Sequence, residues 1–313
     1  MSVISPSDIA FEGFRLTREK PRAVLAWTAL LFVVSLVTLG LLLATGLREV
    51  MELAENGDTD SSAAFAAMTK GGPAYLVLLA FGLLVQSVMM SAVFRAILRP
   101  QESRFGYLRF GRDELRQMGL FLILVAILVV SVFVIVLAGG IVATIVHSVL
   151  RAMGPAGTAI GVLAGAGIGI WVLGLVVFVV IRLSLAPPLT FASGRLRVFA
   201  AWRLSHGSFW RLLGGYVLAF VMYMVVWILA MVVITGIGGV IGLALGYSFS
   251  DVGSIFHPDL SSWAAYLTIP TLIYTLFSAA LTAIQYAVLF SPSAVAYQIL
   301  TREPDEGAEA NLI

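Results

Sequence analysis

The residues that could carry chemistry in this chain are few, and they lie far apart in the sequence. The three histidines are His147, His206 and His257, and there is no cysteine. Metal ions in proteins are held by histidine, cysteine and carboxylate side chains at short, regular spacings. Thiolate metal sites, disulfides and cysteine nucleophiles are therefore excluded. Since the three histidines do not form such a cluster, we predict neither a metal nor a cofactor.

Two pairs of neighbouring carboxylates could serve general acid and base catalysis. They are Asp113 with Glu114, and Glu303 with Asp305. Such catalysis requires two groups held in one cavity, and nothing in the sequence places either pair in one. The sequence also contains no nucleophile elbow or phosphate-binding loop motif. We therefore expect solvated loop charges at both pairs and a protein that is not an enzyme; an enzyme acting on lipid is the alternative.

A polar stripe near the end of the chain could line a cavity. Its members recur at spacings of three and four residues: Thr268, Thr271, Thr275, Ser278, Thr282 and Gln285. At 100° per residue they share one face of a helix. Hydroxyls on such a face either bond to neighbouring helices, which makes a packing seam, or line a permeation path. The spacing leaves both interpretations open.

The elements that must position these side chains are transmembrane helices. Hydrophobic residues make up 60% of the 313 positions and charged residues 12%, and the mean hydropathy is +1.02. A water-soluble domain carries about 25% charged residues, so a soluble enzyme and a disordered chain are excluded. The formal net charge of +2 gives no indication of a nucleic-acid partner.

Six continuous apolar runs are long enough to cross a hydrocarbon core, which needs about 20 helical residues. They lack the alternation of barrel strands, so we expect helices. The predicted spans are 23–46, 73–97, 119–150, 157–185, 212–247 and 263–290.

The loops predict the orientation of the spans. Of the 19 Lys and Arg residues, all but Arg48, Lys70 and Arg151 lie on the side of the N-terminus. Such an excess marks the cytoplasmic side. We expect a protein of the bacterial inner (cytoplasmic) membrane with both termini in the cytoplasm. Its parts are a cytoplasmic amphipathic segment at 1–22, a six-helix domain at 23–299 and a cytoplasmic tail at 300–313.

The span interiors contain no Asp, Glu or Lys. This argues against a proton-coupled transporter and a charged-ring channel, since both need ionisable groups in the membrane. Arg95 and Arg182 lie at the ends of the second and fourth spans, and we expect both to extend to the interface.

Glycines recur every four residues in two spans. They are Gly161, Gly165 and Gly169 in the fourth span, and Gly238, Gly242 and Gly246 in the fifth. Small residues at this spacing let helix backbones approach closely. The pattern predicts a tightly packed half of the membrane domain on the side away from the termini.

An aromatic and basic pattern occurs three times, at a spacing of 94 residues. Phe11, Phe105 and Phe199 are equivalent, and an arginine follows each of them four residues later. The pattern F-x-x-[FLW]-R-[LF]-x-[RH] directly precedes the first, third and fifth spans. It predicts three repeated hairpins, each preceded by a short cytoplasmic amphipathic helix. Pro292 would end the sixth span and open a truncated fourth copy.

These segments supply the candidate interface residues: Arg15, Arg18, Arg109, Arg112, Trp202, Arg203, His206, Trp210 and Arg211. Aromatic and arginine side chains on one short helix favour a position in the headgroup layer. They either anchor and orient the spans, bind phospholipid headgroups, or dock a protein partner or a second copy of the chain.

Residues 181–220 carry two longer motifs, R-x-x-x-x-P at 182–187 and A-W-R-L-x-x-G-x-F-W-R-L-L-G at 201–214. This stretch resembles the bacterial glycerophosphoryl diester phosphodiesterase membrane-domain family and its six-helix relatives of unknown function. The family takes its name from fusion to a phosphodiesterase domain outside the resembling region. The resemblance therefore implies a membrane module rather than that activity.

Together these observations predict a non-enzymatic multi-pass inner-membrane protein. We expect a scaffold or accessory protein, or a lipid-interacting module, that contacts phospholipids through its cytoplasmic helices. The alternative is a transporter, channel or lipid-translocating protein for an uncharged or amphiphilic substrate, with the polar stripe as its path.

Overall fold

The computed structural model describes residues 5–45, 61–244 and 261–301, which form helices and turns and, within these ranges, no strand. Six of the helices are long and apolar enough to cross a membrane, which confirms an all-helical, multi-pass membrane protein. In chain order the helices are α1 (Pro6–Glu19), α2 (Pro21–Thr45), α3 (Ser61–Leu98), α4 (Arg112–Arg151), α5 (Pro155–Leu183), α6 (Ala186–Ser193), α7 (Val198–Leu204), α8 (Phe209–Ala244), α9 (Trp263–Tyr266) and α10 (Ile269–Thr301).

One end of the bundle contains most of the short elements and most of the described arginines. Lys20, before α2, donates to the Ala96 carbonyl near the end of α3, at 2.7 Å. Gln298, near the end of α10, donates to the Ile97 carbonyl at 3.2 Å. We call this the arginine-rich end; its arginines lie within 15–22, 95–116 and 182–211.

The best-packed part of the bundle is formed by α2, α3 and α10. Ala279, Ala283 and Ala287 lie one turn apart on α10 and are buried against these two helices. Alanines at this spacing let helix axes approach, because no longer side chain separates them. Trp27 of α2 and Met89 of α3 fill the space around them and are fully buried.

Helix α1 packs on the bundle through one face. Ile9, Ala10 and Leu16 are buried there. Gly13 lies against the backbone of α10, where a Cβ atom would come within 2.4 Å of the Val288 Cα. On α8, a Cβ added at Gly215 would lie 2.1 Å from Ile9 Cδ1. The first helix is thus fitted between the last helix and α8.

The hairpin of α4 and α5 extends beyond the packed part of the bundle. In the most apolar window of each helix, only 6% of the residues are buried. A Cβ atom at Gly165, Gly169 or Gly238 would meet nothing within 4 Å, so the predicted tight packing at these glycines is wrong. Gly161 does pack, on His147 of α4. Of the other glycines in the pattern, Gly242 and Gly246 lie outside the residues whose surroundings the structure describes.

The sixth predicted span, 263–290, differs from the structure at both ends, since Trp263–Tyr266 form the separate helix α9 and α10 starts at Ile269. The sixth span does not end at Pro292, because α10 continues to Thr301 with Pro292 buried inside it. Proline is tolerated within packed membrane helices where hydroxyls and neighbouring helices satisfy the backbone. The second predicted span, 73–97, agrees with the apolar part of α3, Gly71–Leu98, although the helix itself starts at Ser61 and contains Pro73. Beyond Thr301, the predicted tail lies outside the described residues.

Substitution of Gly13 should test the docking of α1. Gly13→Ala adds a methyl group where the α10 backbone leaves no room, so we expect a loss of about 1–3 kcal/mol in the free energy of unfolding. Gly119→Ala is the matched control, because a Cβ there meets nothing within 4 Å. Unfolding in detergent, followed by circular dichroism, measures both variants. Equal stability of the two would contradict the tight docking of α1.

Candidate functional site

The repeated aromatic positions lie on the surface of the arginine-rich end. Phe11 is 51% exposed, Phe105 86% and Phe199 76%. The arginine four residues after each phenylalanine is exposed as well. The remaining interface candidates are also exposed: Arg18, Arg112, Trp202, His206, Trp210 and Arg211. The structure therefore places all nine predicted interface residues where lipid or a partner could reach them.

The second segment has a different local structure from the predicted helix. Residues Arg104–Tyr107 form a 3₁₀ turn, and Phe105, Gly106 and Tyr107 have φ values of 50°, 65° and 67°. Left-handed backbone at a phenylalanine and a tyrosine is strained unless contacts hold it. Trp27 Nε1 donates to the Gly106 carbonyl at 2.7 Å, and a Cβ at Gly106 would collide with Ala26. Packing on α2 thus overrides the helical pattern.

On α1, Arg15 is tied to a neighbouring carboxylate. Arg15 Nη2 donates to Glu12 Oε1 at 3.0 Å, and Glu19 lies 3.8 Å from its Nε. Burial raises the pKa of the Glu12 carboxyl above its usual range, while Arg15 acts in the opposite direction. The Arg15 side chain remains 60% exposed, so its charge is still available to an external anion.

A buried ion pair joins α3 to the start of α4. Arg95 and Glu114 are each only 1% exposed, and Arg95 Nη2 donates to Glu114 Oε1. Arg95 Nη1 donates to the Tyr107 carbonyl at 2.5 Å, and Glu102 Oε2 lies 3.5 Å from Arg95 Nε. The expectation that Arg95 extends to the interface is wrong, as is that of a solvated Glu114. Three groups from two segments hold one guanidinium inside the protein.

A second arginine extends this network towards α6. Arg99 donates to Asp113 Oδ2 and to the Phe191 carbonyl, both at 3.2 Å, and its guanidinium lies 4.7 Å from the centre of the Phe191 ring. Asp113 also accepts from Arg116 at 3.1 Å. Asp113 is therefore shared by two arginines.

One sequence signal could have revealed the buried pair. The R-x-x-x-x-P spacing at Arg182 and Pro187 also occurs at Arg95 and Pro100, at the end of α3. An arginine repeated at this place in an apolar chain indicates a structural need for the charge. The sequence does not show which carboxylate pairs with Arg95. The position of Glu114 depends on the left-handed turn that lies between the two residues.

The predicted polar stripe begins at Thr268, just before α10, and continues along α10, and its members have three different surroundings. In its first part, Thr271 and Thr275 are buried, Thr275 Oγ1 donates to the Thr271 carbonyl at 2.7 Å, and Tyr266 of α9 bonds to Thr275 Oγ1 at 2.8 Å. The exposed Thr268 donates to Thr271 Oγ1 at 2.8 Å. At the far end of the stripe, Gln285 accepts from Tyr223 of α8 at 3.2 Å.

The middle of the stripe lines a cavity. Ser278 and Thr282 face a space of about 340 Å³ between α2, α3 and α10. Hydroxyls from α2 also border it, at Ser35 and Thr38, among the apolar residues of all three helices. At one edge, Tyr286 donates to Gln86 at 2.7 Å. The volume is at the lower end for small-molecule sites, so it suits a lipid headgroup or a small uncharged molecule.

The described histidines lie apart. His147 packs against Gly161 in the α4–α5 hairpin, and His206 is exposed after α7. His257 lies outside the described residues. In the part of the chain that the structure describes, no three His, Asp or Glu side chains are grouped so as to hold a metal ion.

No family model, curated protein or solved structure matches this chain, so the resemblance carried by residues 181–220 remains a prediction.

Removing one member of the buried pair should be costly. Glu114→Leu leaves Arg95 charged in an apolar interior, and we expect a loss of about 3–5 kcal/mol in the free energy of unfolding. The double variant R95L/E114L should recover part of this loss, because no unpaired charge remains.

The control for this prediction is Glu19→Gln, since Glu19 forms only an exposed ion pair with Arg15 and should change stability by less than about 1 kcal/mol. Thermal unfolding of the purified proteins in one detergent compares all four chains. A double variant less stable than E114L would contradict the cost assigned to the unpaired charge.

Proposed function

We propose that this chain is a non-enzymatic multi-pass protein of the bacterial inner membrane whose cytoplasmic face binds anionic phospholipid headgroups. The carrying observation is the shared exposure of the three repeated phenylalanines with the three arginines that follow them. In this proposal the arginine-rich end faces the cytoplasm, as the excess of Lys and Arg favours.

The chemistry of these surfaces supports a lipid contact. Exposed phenylalanine and tryptophan side chains favour the boundary between headgroups and acyl chains. Arginines beside them attract an anionic leaflet by about 1 kcal/mol each. A headgroup contact would use both properties together, whereas a purely water-exposed surface would gain nothing from an aromatic such as Trp210, which is 78% exposed.

A threefold repeat of hairpins accounts for the arrangement of the segments. Each would place its aromatic and basic residues at the same depth, directly before a span. The three copies differ in backbone, with helix α1, the 3₁₀ turn and helix α7 in the corresponding places. Similar exposure despite different backbone supports selection for the surface rather than for one local fold.

A scaffold or accessory role fits the same surfaces. The exposed apolar faces of α4, α5 and α8 are available to lipid, to a second copy of the chain or to a partner protein. Binding of phospholipid at the arginine-rich end would orient such an assembly.

Replacing the three repeated arginines tests the lipid contact. At about 1 kcal/mol each, the triple variant R15Q/R109Q/R203Q should lower phosphatidylglycerol affinity by about a hundredfold. Lipid titration of detergent-solubilised protein at low salt, read by native mass spectrometry, gives the affinity.

The matched control removes three other exposed arginines from the same end, in R104Q/R195Q/R197Q. The proposal predicts a smaller loss in the control than in the repeat variant. Equal losses of affinity in the two variants would mean that net charge alone explains the binding. An unchanged affinity in the repeat variant would refute the proposal.

The cavity between α2, α3 and α10 favours a second candidate function, movement of an amphiphile across the membrane. The variant S278A/T282V removes hydroxyls from the cavity and should reduce translocation of fluorescent phosphatidylcholine in reconstituted vesicles while the protein stays folded. The variant T271V/T275V alters buried threonines outside the cavity and should lower stability without reducing translocation per folded protein. A wild-type rate equal to that of protein-free vesicles would exclude this candidate.

A further inference from the structure

One partly buried arginine at the arginine-rich end, Arg182, has no carboxylate partner among the described residues. Arg182 lies in the last turn of α5, and its Nε and Nη1 atoms are buried without a hydrogen-bond partner. The residue as a whole is only partly buried, so part of the guanidinium side chain is accessible. Among the described residues, Arg182 takes part in no ion pair. The expectation that this side chain simply extends to the interface is therefore only partly met.

Aromatic rings flank this guanidinium. Its centre lies 5.0 Å from the Phe178 ring and 5.7 Å from the Trp202 ring. The two rings meet edge to face, and Phe209 packs on Phe178 at 5.3 Å. Ser205 Oγ donates to the Arg182 carbonyl at 3.2 Å, which fixes the end of α7 and hence Trp202 on α5. The rings form a rigid wall around a cation.

Comparison with Arg95 shows what is missing. Both arginines stand five residues before a proline at the end of a span. Arg95 meets Glu102 and Glu114, which follow it by 7 and 19 residues. The residues at the same distances after Arg182 are Leu189 and Ala201, and Ala201 is fully buried. The second hairpin thus keeps the arginine and the aromatic ring beside it, but has apolar residues where the first has carboxylates.

Arginine stays protonated in proteins, so burial does not neutralise the guanidinium of Arg182. Ring contacts supply about 0.5–2 kcal/mol each and satisfy no N–H group. Charge-assisted bonds from the accessible part of the guanidinium to an anion would offset this charge, and guanidinium matches the oxygens of a phosphate group.

We propose that Arg182, with Trp202 and Phe178, forms a binding site for one phosphate group at the arginine-rich end. The phosphate belongs either to a phospholipid headgroup or to a water-soluble phosphate compound. The inference deepens the proposed lipid contact and rests on it only for the lipid as the source. Because the site is walled by aromatic rings, its binding resists salt, unlike that of the exposed arginines.

Salt separates this site from the surface contact. At about 1 M salt the screening length falls to about 3 Å, so attraction by exposed arginines is lost. At this salt concentration, the full-length protein in detergent is titrated with phosphatidylglycerol and with phosphatidylcholine. Native mass spectrometry counts the bound lipid. The wild type should retain one phosphatidylglycerol, and Arg182→Gln should lower its affinity by about tenfold or more.

Two control variants distinguish binding at Arg182 from binding at the exposed arginines. The single variant Arg195→Gln and the triple variant R15Q/R109Q/R203Q should both stay within about twofold of the wild type at this salt. Arg182→Gln within twofold of the wild type would overturn the inference and leave the proposed function standing. A triple variant unchanged at low salt would refute the proposed function and leave the Arg182 site standing.

Inorganic phosphate identifies the source. Displacement of phosphatidylglycerol by millimolar phosphate supports a site that takes soluble phosphate, and failure of displacement supports a phospholipid site. If Arg182→Gln does not fold, the wild-type protein still tests the inference. A wild-type protein that binds neither phosphatidylglycerol nor inorganic phosphate at high salt has no phosphate site, and the inference is wrong.

Discussion

A fully buried guanidinium needs hydrogen-bond acceptors or carboxylates close to it, and the arrangement around Arg95 follows from that constraint. Its bonds to Glu114 and to the Tyr107 carbonyl join the end of α3 to the start of α4. The second bond depends on the left-handed turn, which in turn receives Trp27 of α2. Lys20 lies 4.7 Å from the centre of the Tyr107 ring, so the junction of α1 and α2 belongs to the same network. One charge thereby sets the relative positions of four helices.

Such a pair adds little net stability, because both ions must first leave water. Stability comes instead from close packing, and it is unevenly distributed. The alanines of α10 bring α2 and α3 together. By contrast, α4 and α5 mostly contact each other and present long apolar faces to the surroundings. The protein is thus rigid where its charged residues gather and sparsely packed along one hairpin.

The six helices could be predicted from the sequence because each apolar run is longer than the membrane requires. The exposure of Arg15, Arg109 and Arg203 also agrees with the boundary pattern. The site was harder to predict where tertiary contacts decide local structure: packing on Trp27 replaces a helix by a turn at Phe105, and burial keeps α10 helical through Pro292. The glycine spacing gave a wrong prediction at Gly165 and Gly169. Glycines one turn apart allow another helix to pack closely, but no neighbouring helix comes near these two positions.

The contacts of α10 have a consequence for biosynthesis. Helix α10 packs on α1, α2, α3 and α8, so the first helices lack this neighbour until α10 has been synthesised. At about 5–20 residues per second, the 250 residues between the end of α1 at Glu19 and the start of α10 at Ile269 take roughly 12–50 seconds to synthesise. During that time the face of α1 that includes Gly13, and the faces of α2 and α3 that pack on the α10 alanines, lack these contacts. The bundle therefore closes after translation has passed α10, as one late event.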